Sequence, residues 1–271
     1  MLSVAYRCPV CSEPLTRENN SFLCPHRHTF DRSREGYLNL ALGKSDSGDD
    51  AVMSQSRHRF LSKDYYRRFA DTLAETLSRY VDKLSFAADF GCGEGYYLRV
   101  LREHFPNALL FGADLSKNAV KTAAKCEKGK ENPCHYAVCS LFSMPLFDAC
   151  ADAALSVFAP IAEEETARVV KEGGVFLVAG PGPKHLDGLK RALYDIPYDN
   201  PEKHREYKGF RRTEEVECDY AVTVYGDDIR DLFSMTPYYW KTSKPDSEKL
   251  FALDTLETDL SFRITVYRRE N

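Results

Sequence analysis

The sequence lacks the features that would place the protein in or across a membrane. Its 271 residues contain no uncharged apolar run of spanning length, and the most apolar region, residues 141–162, is interrupted by Asp148 and Asp152. The N-terminus has no apolar core typical of a secretion signal. An excess of positive charge is also missing, since the formal net charge is −4, whereas nucleic-acid-binding domains are usually basic. We therefore expect no membrane partner, and any nucleic-acid site must come from a local patch.

A disulfide framework is absent as well. In a chain without a secretion signal, nine cysteines indicate free thiols in a reducing compartment, and we expect a cytoplasmic protein. Six of the cysteines show no metal-ligand spacing and are predicted to be ordinary buried or surface thiols: Cys92, Cys126, Cys134, Cys139, Cys150 and Cys218. The other three fall within the first 24 residues.

Those three cysteines form the pattern C-x2-C-x12-C-x3-H with Cys8, Cys11, Cys24 and His28. Zinc prefers four soft or borderline ligands in a tetrahedron, and a C-x2-C turn directs two thiolates at one ion. His26 competes as the fourth ligand, but its position one residue beyond Cys24 makes a cramped chelate. The alternative is three reduced cysteines beside two surface histidines. We predict one structural zinc ion per chain, because four protein ligands leave no open position for catalysis.

The chain divides into three predicted parts. Residues 1–42 form a small zinc-binding domain. Residues 43–84 contain a polar linker, GKSDSGDD, and one or two amphipathic helices with apolar residues at helical spacing. Residues 85–271 alternate strands and helices, which predicts an α/β domain with a mostly parallel sheet covered on both faces. The last apolar segments alternate with a period of two and predict further strands.

A glycine turn, GCGEG, follows the first strand of the α/β domain. Glycines at Gly91, Gly93 and Gly95 allow the backbone to approach a ligand closely at a helix N-terminus. The carboxylate of Glu94 does not suit a pyrophosphate but suits a ligand with an ammonium group, such as S-adenosylmethionine. Asp114 ends the next strand, where a carboxylate binds ribose hydroxyls. Asp114 could instead cap the following helix, a role for which Ser116 competes.

Together these segments resemble the bacterial 23S rRNA (guanine-N1)-methyltransferases of the RlmA family. The resemblance covers nearly the whole chain and rests on the following segments: CPVCSEPL, CPHRHTFDRSREGYLNL, GDDAVMSQSRHRFL, DFGCGEGYY, FGADLSKNAVKTAAK, FAP, ARVVKEGG, GPGPKHL and MTPYYW. It implies a class I methyltransferase with a Rossmann-like sheet, an antiparallel C-terminal strand and an N-terminal zinc ribbon. Where the family often has KPGG, this chain has KEGG, a change on a turn.

The resemblance also implies roles for individual residues. Cys8, Cys11, Cys24 and His28 match the zinc ligands. Matches to cofactor-binding positions are Tyr66, Gly91, Gly93, Glu94, Gly95, Asp114 and His185. Cys139 and Ser140 lie where such folds contact adenine, or are ordinary strand-end residues. The zinc domain is expected to help bind the RNA. A basic patch on the first long helix either contacts RNA phosphates or is a solvated helix face. Its residues are Arg57, His58, Arg59, Lys63, Arg67 and Arg68.

The implied reaction is methyl transfer from S-adenosylmethionine to N1 of a guanine in the helix 35 hairpin loop of 23S rRNA. A general base is expected for the N1 proton, but the sequence does not identify it; Asp187, Asp195 and His185 are only nearby. An aromatic side chain is expected to stack on the base, with Tyr66, Phe158 and Tyr97 as candidates, although core packing suits Tyr97 better. Relatives suggest a homodimer. The alternatives are a small-molecule methyltransferase of this fold and a non-catalytic RNA-binding protein.

Overall fold

A computed structural model describes residues 4–43, 51–197, 199–201 and 205–270. The predicted linker, residues 43–50, therefore lies outside the described residues apart from Gly43. The N-terminal part contains a small antiparallel sheet of three short strands, in the order β1 (Thr16–Glu18), β2 (Ser21–Leu23) and β3 (Thr29–Asp31). These strands are only three residues long and mostly exposed, so they bring little apolar surface of their own.

The main sheet confirms the predicted mostly parallel α/β fold. It has eight strands, which in chain order are β4 (Leu38–Asn39), β5 (Phe86–Phe90), β6 (Leu109–Asp114), β7 (His135–Val138), β8 (Ala151–Val157), β9 (Val170–Pro181), β10 (Phe210–Tyr225) and β11 (Thr255–Arg269). Their order across the sheet is β10-β11-β9-β8-β5-β6-β7-β4. All pairs from β9 to β4 are parallel, whereas β11 is antiparallel to both neighbours. The antiparallel C-terminal strand is therefore confirmed.

Helices cover this sheet. They are α1 (Ala51–Leu61), α2 (Arg67–Ser78), α3 (Tyr96–His104), α4 (Lys117–Cys126), α5 (Glu163–Val169), α6 (Asp187–Leu193), α7 (Asp227–Ser234) and α8 (Lys244–Phe251), with a 3-10 helix at Pro237–Trp240. The predicted amphipathic segment is two helices, and in α2 the side chains of Phe69, Leu73 and Leu77 are buried at a spacing of four. Within the described ranges, no helix has the length and apolar character needed to cross a bilayer.

The zinc-binding part is built into the main fold. β4 pairs in parallel with β7 at the sheet edge, and the backbone N–H of Leu40 donates to the carbonyl of Val138 at 2.8 Å. The buried ring of Tyr6 packs edge-on against Phe111 of β6, with centroids 5.8 Å apart. The N-terminal segment therefore shares a core with the sheet, while the predicted domain boundaries at residues 42 and 84 stay predictions.

Candidate active site and zinc site

The four predicted zinc ligands come together. The Nδ1 atom of His28 lies 3.2 Å from the Cys24 sulfur and 3.6 Å from that of Cys8, and the Cys11 and Cys24 sulfurs are 3.6 Å apart. Sulfur ligands at ~2.3 Å from one zinc ion stand about 3.8 Å apart in a tetrahedron, so these spacings fit the ion. His26 is exposed and lies outside the cluster, with its ring 6.5 Å from that of His28. The choice of His28 over His26 is confirmed.

A cavity of about 770 Å³ opens where β5, β6 and β8 end, at the carboxyl edge of the parallel strands. Open α/β sheets bind their ligands at this edge. The cavity is lined by Tyr66, Gly91, Gly93, Glu94, Asp114 and His185, which are six of the seven predicted cofactor residues. Gly95, the seventh, lies behind them at the N-cap of α3. The role of each of these seven residues in cofactor binding remains a proposal.

Two glycines of the turn serve different purposes. Gly95 has φ +80°, and a Cβ atom there would lie 2.4 Å from the hydroxyl oxygen of Tyr136, so this position packs against the protein. Gly93 has φ +53°, but a Cβ atom there would meet no atom within 4 Å. The space beside Gly93 belongs to the cavity, and a ligand can approach its backbone closely.

Asp114 fixes the loop as it faces the cavity. Its Oδ2 accepts a hydrogen bond from the backbone N–H of Gly93 at 2.9 Å, and its Oδ1 accepts one from that of Ser116 at 2.7 Å. Ser116, and not Asp114, is the N-cap of α4, because its hydroxyl oxygen accepts from the N–H of Ala119. Each carboxylate oxygen can accept a second bond, so the geometry leaves Asp114 able to accept from ribose hydroxyls.

Glu94 is buried and already paired with two basic side chains of the protein. Its Oε2 accepts from Nδ1 of His58 at 2.8 Å and from the Arg99 guanidinium at 2.7 Å. Its Oε1 is buried without a hydrogen-bond partner among the described residues. A ligand ammonium group would therefore meet a carboxylate that is shared with Arg99 and His58, and only Oε1 would serve it. The sequence did not predict the contact with His58, because His58 lies on α1, 36 residues from Glu94.

Tyr66 and His185 meet at the far wall of the cavity. The Tyr66 hydroxyl lies 3.3 Å from Nε2 of His185, and Nδ1 of His185 accepts from the backbone N–H of Ser261 at 3.3 Å. Burial lowers the pKa of His185 to about 3, so the ring is neutral at physiological pH. Since Nδ1 is an acceptor, the remaining proton lies on Nε2. His185 is thus a hydrogen-bond donor toward Tyr66, which argues against a general base.

Phe158 directly follows β8 and faces the cavity. Its φ of +54° is unusual for a bulky residue, and backbone strain of this kind concentrates at functional sites. The ring lies 5.7 Å from that of His185 and 6.0 Å from that of Phe262, yet 47% of the residue is exposed. Tyr97 instead packs edge-on against Phe69. All three predicted stacking candidates line the cavity, and Phe158 is the one whose side chain is exposed.

Other predicted positions lie outside the cavity. Cys139 and Ser140 follow β7 beside Asp114, but the cavity is lined by their neighbours Leu141 and Phe142. The exposed Asp195 and the buried Asp187 do not line it either, and Asp187 is paired with Arg191 at 2.7 Å. Glu94 and Asp114 are therefore the only carboxylates of the described chain that line the cavity.

Asp89 was missed by the sequence reasoning. It lies on β5 two residues before Gly91, and both carboxyl oxygens are buried without a partner among the described residues. Burial, helped by the charge of Asp114, raises the pKa of Asp89 to about 8, so the carboxyl group is largely protonated at neutral pH. Its place between two buried alanines and the glycine turn was a visible signal, because a strand interior seldom carries a carboxylate.

The basic patch predicted on the first long helix is largely neutralised. Besides His58, which contacts Glu94, Arg59 pairs with Asp231 of α7 at 2.8 Å and Lys63 pairs with Asp228. Arg67 contacts Asp71 and Glu103. The patch therefore joins α1 and α2 to the rest of the fold, and phosphate contact by its residues stays a prediction. Arg57 differs, because it lines the cavity.

The parallel sheet, the glycine turn and the acidic residue ending the next strand define a class I S-adenosylmethionine-dependent methyltransferase, here with an N-terminal zinc ribbon. The fold agrees with a candidate type II methyltransferase from Anaeromyxobacter dehalogenans, which has a TM-score of 0.51 at 19% identity over 73% of this chain and 95% of that chain. A zinc-ribbon family described as "RlmA, N-terminal" matches residues 6–41, and a methyltransferase-domain family matches residues 88–178.

Curated relatives make the family specific. The chain is 34% identical to the 23S rRNA (guanine(748)-N(1))-methyltransferase of Streptomyces fradiae over 69% of this chain and 67% of the relative. It is 29% identical to YxjB of Bacillus subtilis (strain 168), a candidate 23S rRNA (guanine-N(1)-)-methyltransferase, over 88% of each chain. The protein belongs to the 23S rRNA (guanine-N1)-methyltransferase family.

Proposed function

We propose that the protein transfers a methyl group from S-adenosylmethionine to N1 of a guanine in the helix 35 hairpin loop of 23S rRNA, in the cytoplasm and as a homodimer. The observation that carries the proposal is the cavity, which runs from the glycine turn to the exposed ring of Phe158. At about 770 Å³ it lies in the upper part of the ~300–1,000 Å³ range of ligand sites, with room for a base beside a cofactor. Membership of the family supports the RNA substrate.

The residues present fit the cofactor. Gly93 offers an open backbone approach, Asp114 can receive ribose hydroxyls, and the partnerless Oε1 of Glu94 suits an ammonium group. Arg57, which lines the same cavity close to Tyr66, supplies the positive charge that a carboxylate requires. When bound, S-adenosylmethionine supplies a methyl group on a positively charged sulfur.

The chain's own residues act mainly by positioning. Phe158 offers an aromatic face on which a splayed guanine can stack, and its rigid setting on Phe262 and His185 fixes the plane of that base. The neutral His185 donates to the Tyr66 hydroxyl, which leaves the Tyr66 proton free to point elsewhere. Correct placement of a nucleophile can supply a large part of the rate.

Methylation of protein-free 23S rRNA from a strain lacking the enzyme tests the proposal. With labelled cofactor, we expect incorporation and a single new primer-extension stop in the helix 35 loop. A stop elsewhere in 23S rRNA would contradict the hairpin site but keep the reaction. Calorimetry with S-adenosylmethionine separates the alternatives: a non-catalytic RNA-binding protein gives no heat, whereas a small-molecule methyltransferase binds the cofactor but leaves RNA unlabelled.

A further inference from the structure

Three of the four exposed Phe, Tyr and Trp side chains among the described residues lie at one place on this molecule. Among the described residues, which include every Phe and the single Trp of the chain, the exposed ones are Phe142, Phe158 and Trp240, at 65%, 47% and 60%. All three line the cavity. Solvent-exposed aromatic rings around a ligand site are costly unless a ligand covers them. Phe158 has been placed at the target base, which leaves Phe142 and Trp240 without an assigned purpose.

Trp240 is held in place although it is exposed. It ends the 3-10 helix, and its ring meets that of Tyr239 edge-to-face at 5.0 Å. Tyr239 in turn packs against the buried Phe233 at 5.8 Å. A ring fixed by one edge contact, with most of its surface open to solvent at the cavity mouth, is a preformed stacking platform that needs little ordering when a planar group binds.

The chemistry around Trp240 favours a nucleotide. The next residue, Lys241, is exposed and lines the same cavity, and Arg57 brings a second cation to the lining. Aromatic rings interleaved with cations are the elements that bind single-stranded nucleic acid, because bases stack on the rings and phosphates pair with the cations. An aliphatic protein partner would instead match a continuous apolar patch.

We propose that Trp240 stacks on an unpaired nucleotide next to the methylated guanine, with Lys241 beside its phosphate. This inference rests on the proposed RNA substrate and adds a second base-binding position to it. A guanine that leaves its loop to reach Phe158 brings its neighbours to the cavity mouth, since the backbone is continuous. Trp240 then holds the strand in register, and which loop guanine is methylated depends on the spacing between the two rings.

The single Trp makes the test direct. Intrinsic fluorescence of the full protein is titrated with a hairpin RNA carrying the helix 35 loop and with a fully paired RNA of equal length. We expect saturable quenching by the hairpin and little by the duplex. Trp240→Ala should weaken hairpin binding about 5- to 100-fold, as loss of one stacked base does, while calorimetric binding of S-adenosylmethionine stays unchanged and shows that the variant folds. Tyr225→Ala is the matched control, because Tyr225 is 59% exposed but does not line the cavity.

Three results would overturn the inference. Hairpin binding without quenching would place the RNA elsewhere, and wild-type affinity in Trp240→Ala would show that the ring contributes nothing. Quenching that follows protein concentration without RNA would mean that a second copy of the chain covers the ring. Failure of the proposed function is distinguishable, because a protein that never methylates rRNA would lack transfer in the wild type, whereas failure of the inference leaves wild-type transfer intact.

Discussion

The zinc site and the cavity are stabilised in different ways. The four zinc ligands lie within residues 8–28, in a segment whose strands are short and mostly exposed. The cavity is lined by residues from Met53 to Lys241 and rests on an eight-stranded sheet. The stability of the zinc site depends on the metal and on the packing of Tyr6 against Phe111 of the main sheet. The stability of the cavity depends on the large hydrophobic core beneath it. Losing the metal should therefore cost stability, and changing the cavity should cost binding.

Removing a zinc ligand has the largest expected effect. Cys11→Ser should abolish stoichiometric zinc binding and lower the free energy of unfolding by about 2–5 kcal/mol, because metal binding is coupled to folding and the zinc part packs against β6 and β7. Thermal unfolding with metal analysis measures both. His26→Ala is the control and should retain the ion. A zinc-free Cys11→Ser protein that unfolds at the wild-type temperature would show that the two regions are independent.

Blocking the space beside Gly93 tests the cavity without changing the zinc site. Gly93→Arg should abolish calorimetric binding of S-adenosylmethionine, because the new side chain occupies the cavity at the glycine turn. Gly173→Arg is a matched control: Gly173 also has a positive φ and open space, but it is exposed and away from the cavity. Zinc content should be normal in both. Equal loss of binding in the two variants would show that backbone strain, and not blockage, is responsible.

Asp89 links pH to the stability of β5, the strand that leads into the glycine turn. Its folded pKa of about 8 lies above the ordinary Asp value of 3.8, so the native state binds the proton more tightly. This contribution is fully present below pH about 3.8 and is lost as the pH rises through about 8. The loss begins above pH 3.8, so Asp89→Asn should raise stability somewhat at pH 5 and by up to about 4 kcal/mol more at pH 9, at about 1.4 kcal/mol per pH unit between pH 5 and 8. Denaturant unfolding at both pH values measures this, and an equal effect at both would contradict the burial argument.

The smallest effect concerns His185. Because burial holds its pKa near 3, the rate between pH 5.5 and 8 should show no step from this residue. His185→Gln retains one acceptor for Ser261 and one donor for Tyr66, and should keep most of the activity. His185→Leu removes both bonds and should lower the rate about tenfold, as about 1.4 kcal/mol would. A pH profile whose shape changes in His185→Gln would make His185 a titrating group after all.

The same contrast explains how far the sequence could be interpreted. The zinc ligands and the glycine turn were predictable because their residues lie close together in the sequence. A short spacing between residues restricts where their side chains and backbone can lie relative to one another. The parallel strands and the antiparallel C-terminal strand followed from periodicity and the family resemblance. The pairing of Glu94 with His58 could not be predicted, since α1 reaches the turn only in the folded chain. The ion pairs of Arg59 and Lys63 with α7 arise across more than 160 residues for the same reason.

The most direct test of the central claim is the identity of the product nucleoside. Protein-free 23S rRNA is incubated with S-adenosylmethionine and either the wild-type protein or Gly93→Arg, and the digested nucleosides are identified by mass and chromatographic standards. The account predicts new 1-methylguanosine with the wild type and none with the variant. A different methylated nucleoside, or no methylated nucleoside from a wild-type protein that binds the cofactor, would contradict it.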